Sequence, residues 1–109
     1  MFARVLEMTP RVEKKEEMIQ IMRQEILPLL KKQSGFLEVL ALVPEVATEK
    51  MIAITIWTEK YEAQKYAKEI FPRIEQTLKP YLSEPIAVKH FTVESRLCEK
   101  LFEALHVGV

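Results

Sequence analysis

The chain has 109 residues, 49% of them hydrophobic, and its 16 basic side chains are balanced by 16 acidic ones. This length predicts one domain with its own core, and a net charge of zero excludes the strong basic field that would attract nucleic acid or anionic lipid. A single cysteine, Cys98, excludes an internal disulfide, and no apolar run reaches the roughly 20 residues of a membrane span. We therefore expect a cytoplasmic protein with no membrane or nucleic-acid partner.

The first third of the chain predicts a strand followed by a long helix. Residues 2–9 alternate loosely between apolar and polar side chains and end before Pro10, which favours a strand. Apolar residues then recur at three-and-four spacing from Glu13 to Gln33, which is typical of an amphipathic helix. Pro28 lies within this helix and should kink or interrupt its last turns, because proline lacks the backbone donor.

The middle of the chain predicts a hairpin that begins where this helix ends. Gly35 follows Ser34 and is suited to the left-handed conformation that often terminates a helix. Residues 36–43 and 50–57 predict two strands joined by a turn at 44–48.

The last part of the chain predicts a second long helix, a fourth strand and a short final helix. Thr58 is the expected N-cap of the second helix, which Pro72 divides in two. Residues 86–93 predict the fourth strand. Ser95 is expected to cap the final helix, whose apolar residues line up on one side: Leu97, Leu101, Phe102 and Leu105.

This order of elements predicts the split βαβ arrangement of ferredoxin-like α+β folds, βαββαβ plus a C-terminal helix. Right-handed crossovers place two helices on one face of a four-stranded antiparallel sheet. We assign residues 1–94 to this domain and residues 95–109 to a C-terminal helical extension, which packs on its own subunit or on a partner.

The second and third predicted strands are apolar on both faces. Simple alternation places Phe36, Leu40 and Leu42 on one face of the second strand, with Leu37, Val39 and Val43 on the other. Leaving such side chains in water would cost about 1.5–3 kcal/mol each. A second subunit or the C-terminal helix must therefore cover the face without helices, and we predict a homodimer with sheets packed face to face.

Three short segments at the element boundaries have a distinctive combination of residues. They are Ser-Gly-Phe at 34–36, Ile-Thr-Ile-Trp at 54–57, and Thr-Glu-Lys-Tyr-Glu-Ala at 58–63 with Tyr66 one turn later. These segments resemble the antibiotic biosynthesis monooxygenase family, and the resemblance covers about residues 2–93. It implies a dimeric α+β barrel. Family members of known activity oxidise phenolic or quinol substrates with oxygen and use neither flavin nor metal, so the resemblance also implies no cofactor.

A related branch degrades haem, and the sequence disfavours that activity. The branch depends on an Asn on the first strand, a Trp on the second helix and a His further along that helix. This chain contains no Asn, has Tyr66 at the position that matches the Trp, and has no His near residues 74–76.

The family's ligand pocket lies between the helices and the sheet, which suggests two catalytic candidates. His90 lies within the predicted fourth strand and would act as the base that forms a substrate anion, or else is a structural or exposed histidine. Tyr66 would donate its hydroxyl to a developing phenolate, or else keeps that hydroxyl in water.

Three further residues are candidates for binding a substrate. Trp57 would stack on an aromatic ring or donate its indole N–H, or else belongs to the core. Arg4 would stabilise an oxyanion, or else pairs with a Glu across the strands. Phe71 belongs to the apolar stripe of the second helix and would line the pocket. Glu7 would serve as a base only if it is buried with a raised pKa.

Two functions follow as alternatives. The first is a cofactor-independent monooxygenase that acts on a small aromatic or quinol-like compound. The second is a non-catalytic dimer that binds a small apolar ligand or serves as an interaction module. A metal site is not expected, because His90, His106 and Cys98 lack metal-ligand spacing and the chain has no Asp.

Overall fold

The computed structural model describes the backbone of residues 1–106, and the side chains at 101, 102, 105 and 106 lie outside what it describes. Its centre is a four-stranded antiparallel sheet in the order β2-β3-β1-β4. The strands are β1 (Phe2–Met8), β2 (Phe36–Leu42), β3 (Met51–Trp57) and β4 (Ala87–Thr92). The predicted ferredoxin-like α+β arrangement is confirmed.

The helices that cover one face of the sheet are interrupted near Pro28 and Pro72, as predicted. The first helical segment comprises α1 (Lys15–Ile21), a π-helical turn (Met22–Ile26) and α2 (Leu27–Lys31). Pro28 is the second residue of α2. In the wider turn before it, the backbone N–H of Leu27 donates to the carbonyl of Met22, which accommodates the ring without breaking the segment.

The second interruption separates α3 (Lys60–Glu69) from α4 (Phe71–Leu78), and Pro72 lies in the first turn of α4. Ile70 joins the two helices with a φ of −114°. Because the chain turns here, Tyr66 at the end of α3 and Phe71 at the start of α4 both reach the sheet, and both are buried.

Phe36, the first residue of β2, faces the helices. A β-bulge between Phe36 and Glu38 shifts the register, so that Phe36 pairs with Trp57 while Glu38 pairs with Ile56. The ring of Phe36 lies edge-on to Trp57, 5.6 Å between centroids. The prediction that Phe36 shares a face with Leu40 is therefore wrong, because the bulge changes the alternation that simple counting assumes.

Two predicted N-caps are also wrong. The second long helix begins at Lys60, and the backbone N–H and hydroxyl of Thr58 both donate to the carbonyl of Gly35, at 2.8 and 3.3 Å. The 3-10 turn at Ser95–Leu97 is capped by Glu94, whose carboxylate accepts from the backbone N–H of Arg96.

The two faces of the sheet have different surroundings. Side chains on the helix-covered face form one core with the helices, with Met8, Met18 and Trp57 at its centre. On the opposite face Leu40 and Leu42 are 42% and 50% exposed, and Phe91 is also exposed. Within the described part of the chain, this second face keeps apolar side chains in contact with solvent.

The C-terminal segment continues as a 3-10 turn and α5 (Glu99–His106). Leu97, the first of the four apolar residues predicted to line up on the final helix, is 84% exposed and does not dock on its own subunit. The other three, Leu101, Phe102 and Leu105, have side chains outside the described set. None of the helices that are described is long and apolar enough to cross a membrane.

Replacing Gly35 with alanine is expected to destabilise the fold by about 1–2 kcal/mol, because a residue with a Cβ is strained in the left-handed region. Gly35 has a φ of +81°, and an added Cβ would collide with the Glu62 carboxyl group. That group would have to move and lose the hydrogen bond from the Ser34 hydroxyl, which is 2.8 Å long. Urea denaturation measures the change in the free energy of unfolding.

The matched control is Ser34→Ala, which removes the same hydrogen bond without straining the backbone. A smaller loss of stability is expected for this variant. A Gly35→Ala protein as stable as Ser34→Ala would show that the left-handed conformation does not require glycine.

Candidate functional site

A buried arginine lies at the middle of the helix-covered face. Strand alternation places Arg4 on the same side of β1 as Phe2 and Leu6, and it is only 3% exposed. Its neighbours across the sheet are Thr55 on β3 and His90 on β4. The guanidinium carbon lies 4.4 Å from the ring centroid of Phe71 and 5.3 Å from that of Tyr66. Arg4, Tyr66, Phe71 and His90 are called the Arg4 cluster below.

Among the described residues, the charge of Arg4 has no carboxylate in ion-pair contact. The ion pairs there join Lys50 to Glu84, Lys89 to Glu7 and Arg96 to Glu94. The Nε atom of Arg4 is buried and has no hydrogen-bond partner. The alternative that Arg4 pairs with a Glu across the strands is therefore wrong.

This arrangement is energetically unfavourable in the absence of a ligand. Burial lowers the pKa of Arg4, while the nearby Tyr66 and the Glu75 carboxylate act in the opposite direction. The faces of aromatic rings attract a cation and compensate in part. An unpaired buried charge still costs several kcal/mol, so the site favours an anion that would supply the missing partner.

Tyr66 is buried beside Arg4 and remains a neutral hydrogen-bond donor at physiological pH. Burial raises its pKa from 10.0 to about 12, and the positive charge of Arg4 opposes that rise. Its ring centroid lies 4.8 Å from that of Trp57 and 6.2 Å from that of Phe71. Tyr66 can therefore donate to an anion but cannot act as a base near neutral pH.

Trp57 lies under this cluster as a core residue. It is fully buried, and its indole N–H donates to the Thr55 hydroxyl over 2.9 Å. Because this internal hydrogen bond already uses the N–H, Trp57 supports the ring of Tyr66 and offers no free donor to a ligand.

His90 occupies the solvent-facing edge of the cluster. It pairs with Arg4 on the same face of the sheet, and its ring centroid lies 5.6 Å from that of Phe2. Unlike Arg4, His90 is exposed. A base at this position would have access to water and would lie beside a fixed positive charge.

Glu7 lies on the opposite face of the sheet and cannot join this site. Its carboxylate binds the ammonium of Lys89 at 2.7 Å, and that interaction lowers its pKa. The condition under which Glu7 would serve as a base, burial with a raised pKa, is therefore not met.

Sequence reasoning missed two contributors to the cluster. Glu75 lies one helical turn after Phe71 and is the carboxylate whose charge acts on Arg4. Thr55 fixes the indole of Trp57. The sequence spacing could have indicated both residues. Glu75 is four residues from Phe71 on a helix, and Thr55 is two residues from Trp57 on a strand, so each lies on the same face of its element as a candidate residue. In the described residues, no group of three or more His, Cys or Glu side chains could hold a metal ion.

No protein-family model matches the sequence, and no curated protein matches it either. Solved structures do match the fold. An antibiotic biosynthesis monooxygenase aligns over 85% of this chain and 98% of its own length, with a TM-score of 0.69 and 14% identity.

Two further matches have known ligands or activities. The monooxygenase from the gene ActVA-Orf6 of Streptomyces coelicolor, solved in complex with nanaomycin D, covers 85% of this chain and 87% of its own, with a TM-score of 0.70 and 12% identity. SnoaB, a cofactor-independent oxygenase from Streptomyces nogalater, aligns over 85% of this chain and 92% of its own, with a TM-score of 0.65 and 17% identity. The chain therefore has the α+β fold of the antibiotic biosynthesis monooxygenases.

Proposed function

We propose that the chain is a cofactor-independent oxygenase of the antibiotic biosynthesis monooxygenase type, acting on a small phenolic or quinol-like compound that binds as an anion beside Arg4. The observation that carries this proposal is the buried guanidinium of Arg4, which lies against two aromatic rings without a carboxylate partner in the described residues. A planar aromatic anion complements both the charge and the rings.

Each member of the cluster has a role that its surroundings support. His90, at the solvent edge, removes the substrate proton. Arg4 and the neutral hydroxyl of Tyr66 then stabilise the resulting anion. Phe71 contacts the substrate ring, while Trp57 holds Tyr66 in place from beneath.

The reaction needs no reductant besides the substrate. For an anthrone-type methylene, the anion gives one electron to O2 and the two radicals combine into a peroxide, which takes back the proton held by His90. Loss of the second C–H proton, with cleavage of the O–O bond, releases water and leaves a carbonyl. The carbon thus loses two hydrogens and gains one oxygen atom, and the second oxygen atom leaves in the water.

We also propose a homodimer whose sheets pack face to face. Its support is the exposed apolar face that includes Leu40, Leu42 and Phe91. Residues 95–109 form an extension to the domain at 1–94 in this proposal. Among the described residues, α5 contacts chiefly the turn just before it, and we propose that the extension contacts the partner subunit.

A second candidate, a non-catalytic dimer that binds a small aromatic ligand, has support from Trp57. Trp57 is fully buried and donates a hydrogen bond to Thr55, as is typical of a structural residue and not of a substrate-binding one. In this function Arg4 would hold an anion without any reaction, and the same variants separate the two functions.

Oxygen consumption with a panel of hydroquinones and anthrone-type phenols tests the proposed reaction. His90→Ala should lower the rate about 100-fold or more, because the base is lost. Arg4→Met should lower it by about 100-fold as well, because the anion loses its main stabilising charge. Trp57→Phe should change the rate much less, since Trp57 does not donate to the substrate.

The stability of these variants is the control. Replacing an unpaired buried charge by an apolar side chain of similar length is neutral or stabilising, so Arg4→Met should melt at or above the temperature of the unmodified protein. Trp57→Phe should be less stable. A substantially lower melting temperature for Arg4→Met would mean that Arg4 is structural. Anion binding without oxygen consumption would favour the non-catalytic function.

Tyr66 should ionise at a pH about two units higher than an unperturbed tyrosine, because its pKa is about 12 and the ordinary value is 10.0. Because the folded state then binds more protons than the unfolded state, stability is unaffected below about pH 10 and falls as the pH rises towards 12. Absorbance at 295 nm should show a component that titrates near pH 12 and is missing in Tyr66→Phe. If the component that is missing in Tyr66→Phe titrates near pH 10 in the unmodified protein, the hydroxyl of Tyr66 is not buried.

The dimer is tested by charging the exposed face. The double variant Leu40→Glu and Leu42→Glu should convert a dimer into a monomer in sedimentation velocity at micromolar concentration, because paired sheets would bury these charges. Val12→Glu is the matched control, since Val12 is 85% exposed and lies off the sheet. A monomeric unmodified protein, or a double variant that remains dimeric, would rule out this interface.

A further inference from the structure

A cleft of about 550 Å³ lies between α4 and the segment that leads into β4. Pro72, Glu75, Gln76 and Lys79 follow three-and-four spacing and form one wall. The segment from Leu82 to Ile86, which leads into β4, forms the other wall. This volume is within the range of sites that bind small organic molecules, about 300–1,000 Å³.

The second wall is held firmly in place. The backbone N–H of Arg11 donates to the carbonyl of Tyr81 over 2.8 Å. Ser83 donates both its backbone N–H and its hydroxyl to the carbonyl of Thr9, over 2.9 and 3.1 Å. The cleft is therefore preformed, and a ligand would not have to order this segment.

Apolar surface lines the cleft between its charges. Pro72 and Pro85 present ring surfaces without a backbone donor, and Leu82 and Ile86 are buried or half-buried behind them. A ligand with an aromatic or aliphatic body would cover this surface.

The charges of the cleft leave an excess of positive charge. Glu84 accepts from the Thr9 hydroxyl at 2.7 Å and pairs with Lys50 at 3.2 Å, so its charge is already compensated. The cations Arg11 and Lys79 form no ion pair with any residue that the structure describes. Against these two, only Glu75 remains as an uncompensated acid at the cleft.

We propose that this cleft binds a small amphipathic anion, an aromatic or aliphatic carboxylate whose apolar body lies on Pro72, Pro85 and Ile86 and whose charged group binds Arg11 and Lys79. None of the four residues of the Arg4 cluster lines this cleft, although Glu75 acts on Arg4, and the proposal does not depend on the oxygenase reaction. Binding is therefore measured in the absence of any oxidisable substrate, and its failure would leave the oxygen-consumption result unaffected.

The test uses two fluorescent probes that differ only in charge. 8-Anilinonaphthalene-1-sulfonate carries a sulfonate in place of the carboxylate, and N-phenyl-1-naphthylamine is the same molecule without it. The sulfonate should bind saturably and more tightly than the neutral probe. 1-Naphthoate should displace it, whereas 1-naphthalenemethanol should not do so at the same concentration.

Charge variants then locate the site. The double variant Arg11→Gln and Lys79→Gln should weaken sulfonate binding about tenfold, as expected for two solvent-accessible charge contacts. Lys65→Gln with Lys68→Gln is the matched control, because it removes two exposed positive charges from α3 and should leave the affinity unchanged.

Three results would overturn the proposal. These are the absence of saturable sulfonate binding, equal affinity for the neutral probe, and equal losses in the cleft variant and the α3 control. Thermal denaturation of each variant confirms that the exposed substitutions leave the fold intact.

Discussion

The interaction on which the candidate site depends is the contact between one buried positive charge and two aromatic rings. Strand alternation places Arg4 on the face towards the helices, where water cannot solvate its charge. Side chains of the helices must therefore replace that hydration. The break at Ile70 allows this, because it brings Tyr66 from the end of α3 and Phe71 from the start of α4 to the same guanidinium. A continuous helix would place these residues five positions apart and would not turn both towards one point.

The same charge determines what its neighbours can do. Tyr66 is buried enough to stay protonated, yet the positive charge of Arg4 opposes any further rise in its pKa. Glu75 acts on Arg4 from the adjacent turn of α4 and balances part of the charge without closing an ion pair. The guanidinium of Arg4 and the hydroxyl of Tyr66 can both donate, and no described carboxylate forms an ion pair with Arg4, so the arrangement suits an acceptor, preferably an anion.

Sequence patterns predicted the elements well, because helices and strands follow from periodicity. They located Arg4, Trp57 and His90 within β1, β3 and β4, and the two prolines marked where the helices change direction. The bulge at Phe36 escaped prediction because it inserts one residue without the glycine that often signals such an insertion. The partners of Arg4 and Trp57 were not predictable, since ring contacts and the bond to Thr55 depend on how α3 and α4 pack against the sheet.

Fold similarity alone leaves the chemistry open, since the solved structures share 12–17% of their residues with this chain in the three comparisons described. The position of Arg4 is one that a purely structural scaffold would avoid. A core position surrounded by aromatic rings is filled most favourably by an apolar side chain, and a buried charge without a counter-ion destabilises the folded state. Arg4 occupies such a position beside a donor hydroxyl and an exposed imidazole. Stability alone does not explain an arginine at this position, whereas the proposed binding of an anion would explain both its charge and the absence of an ion-pair partner among the described residues.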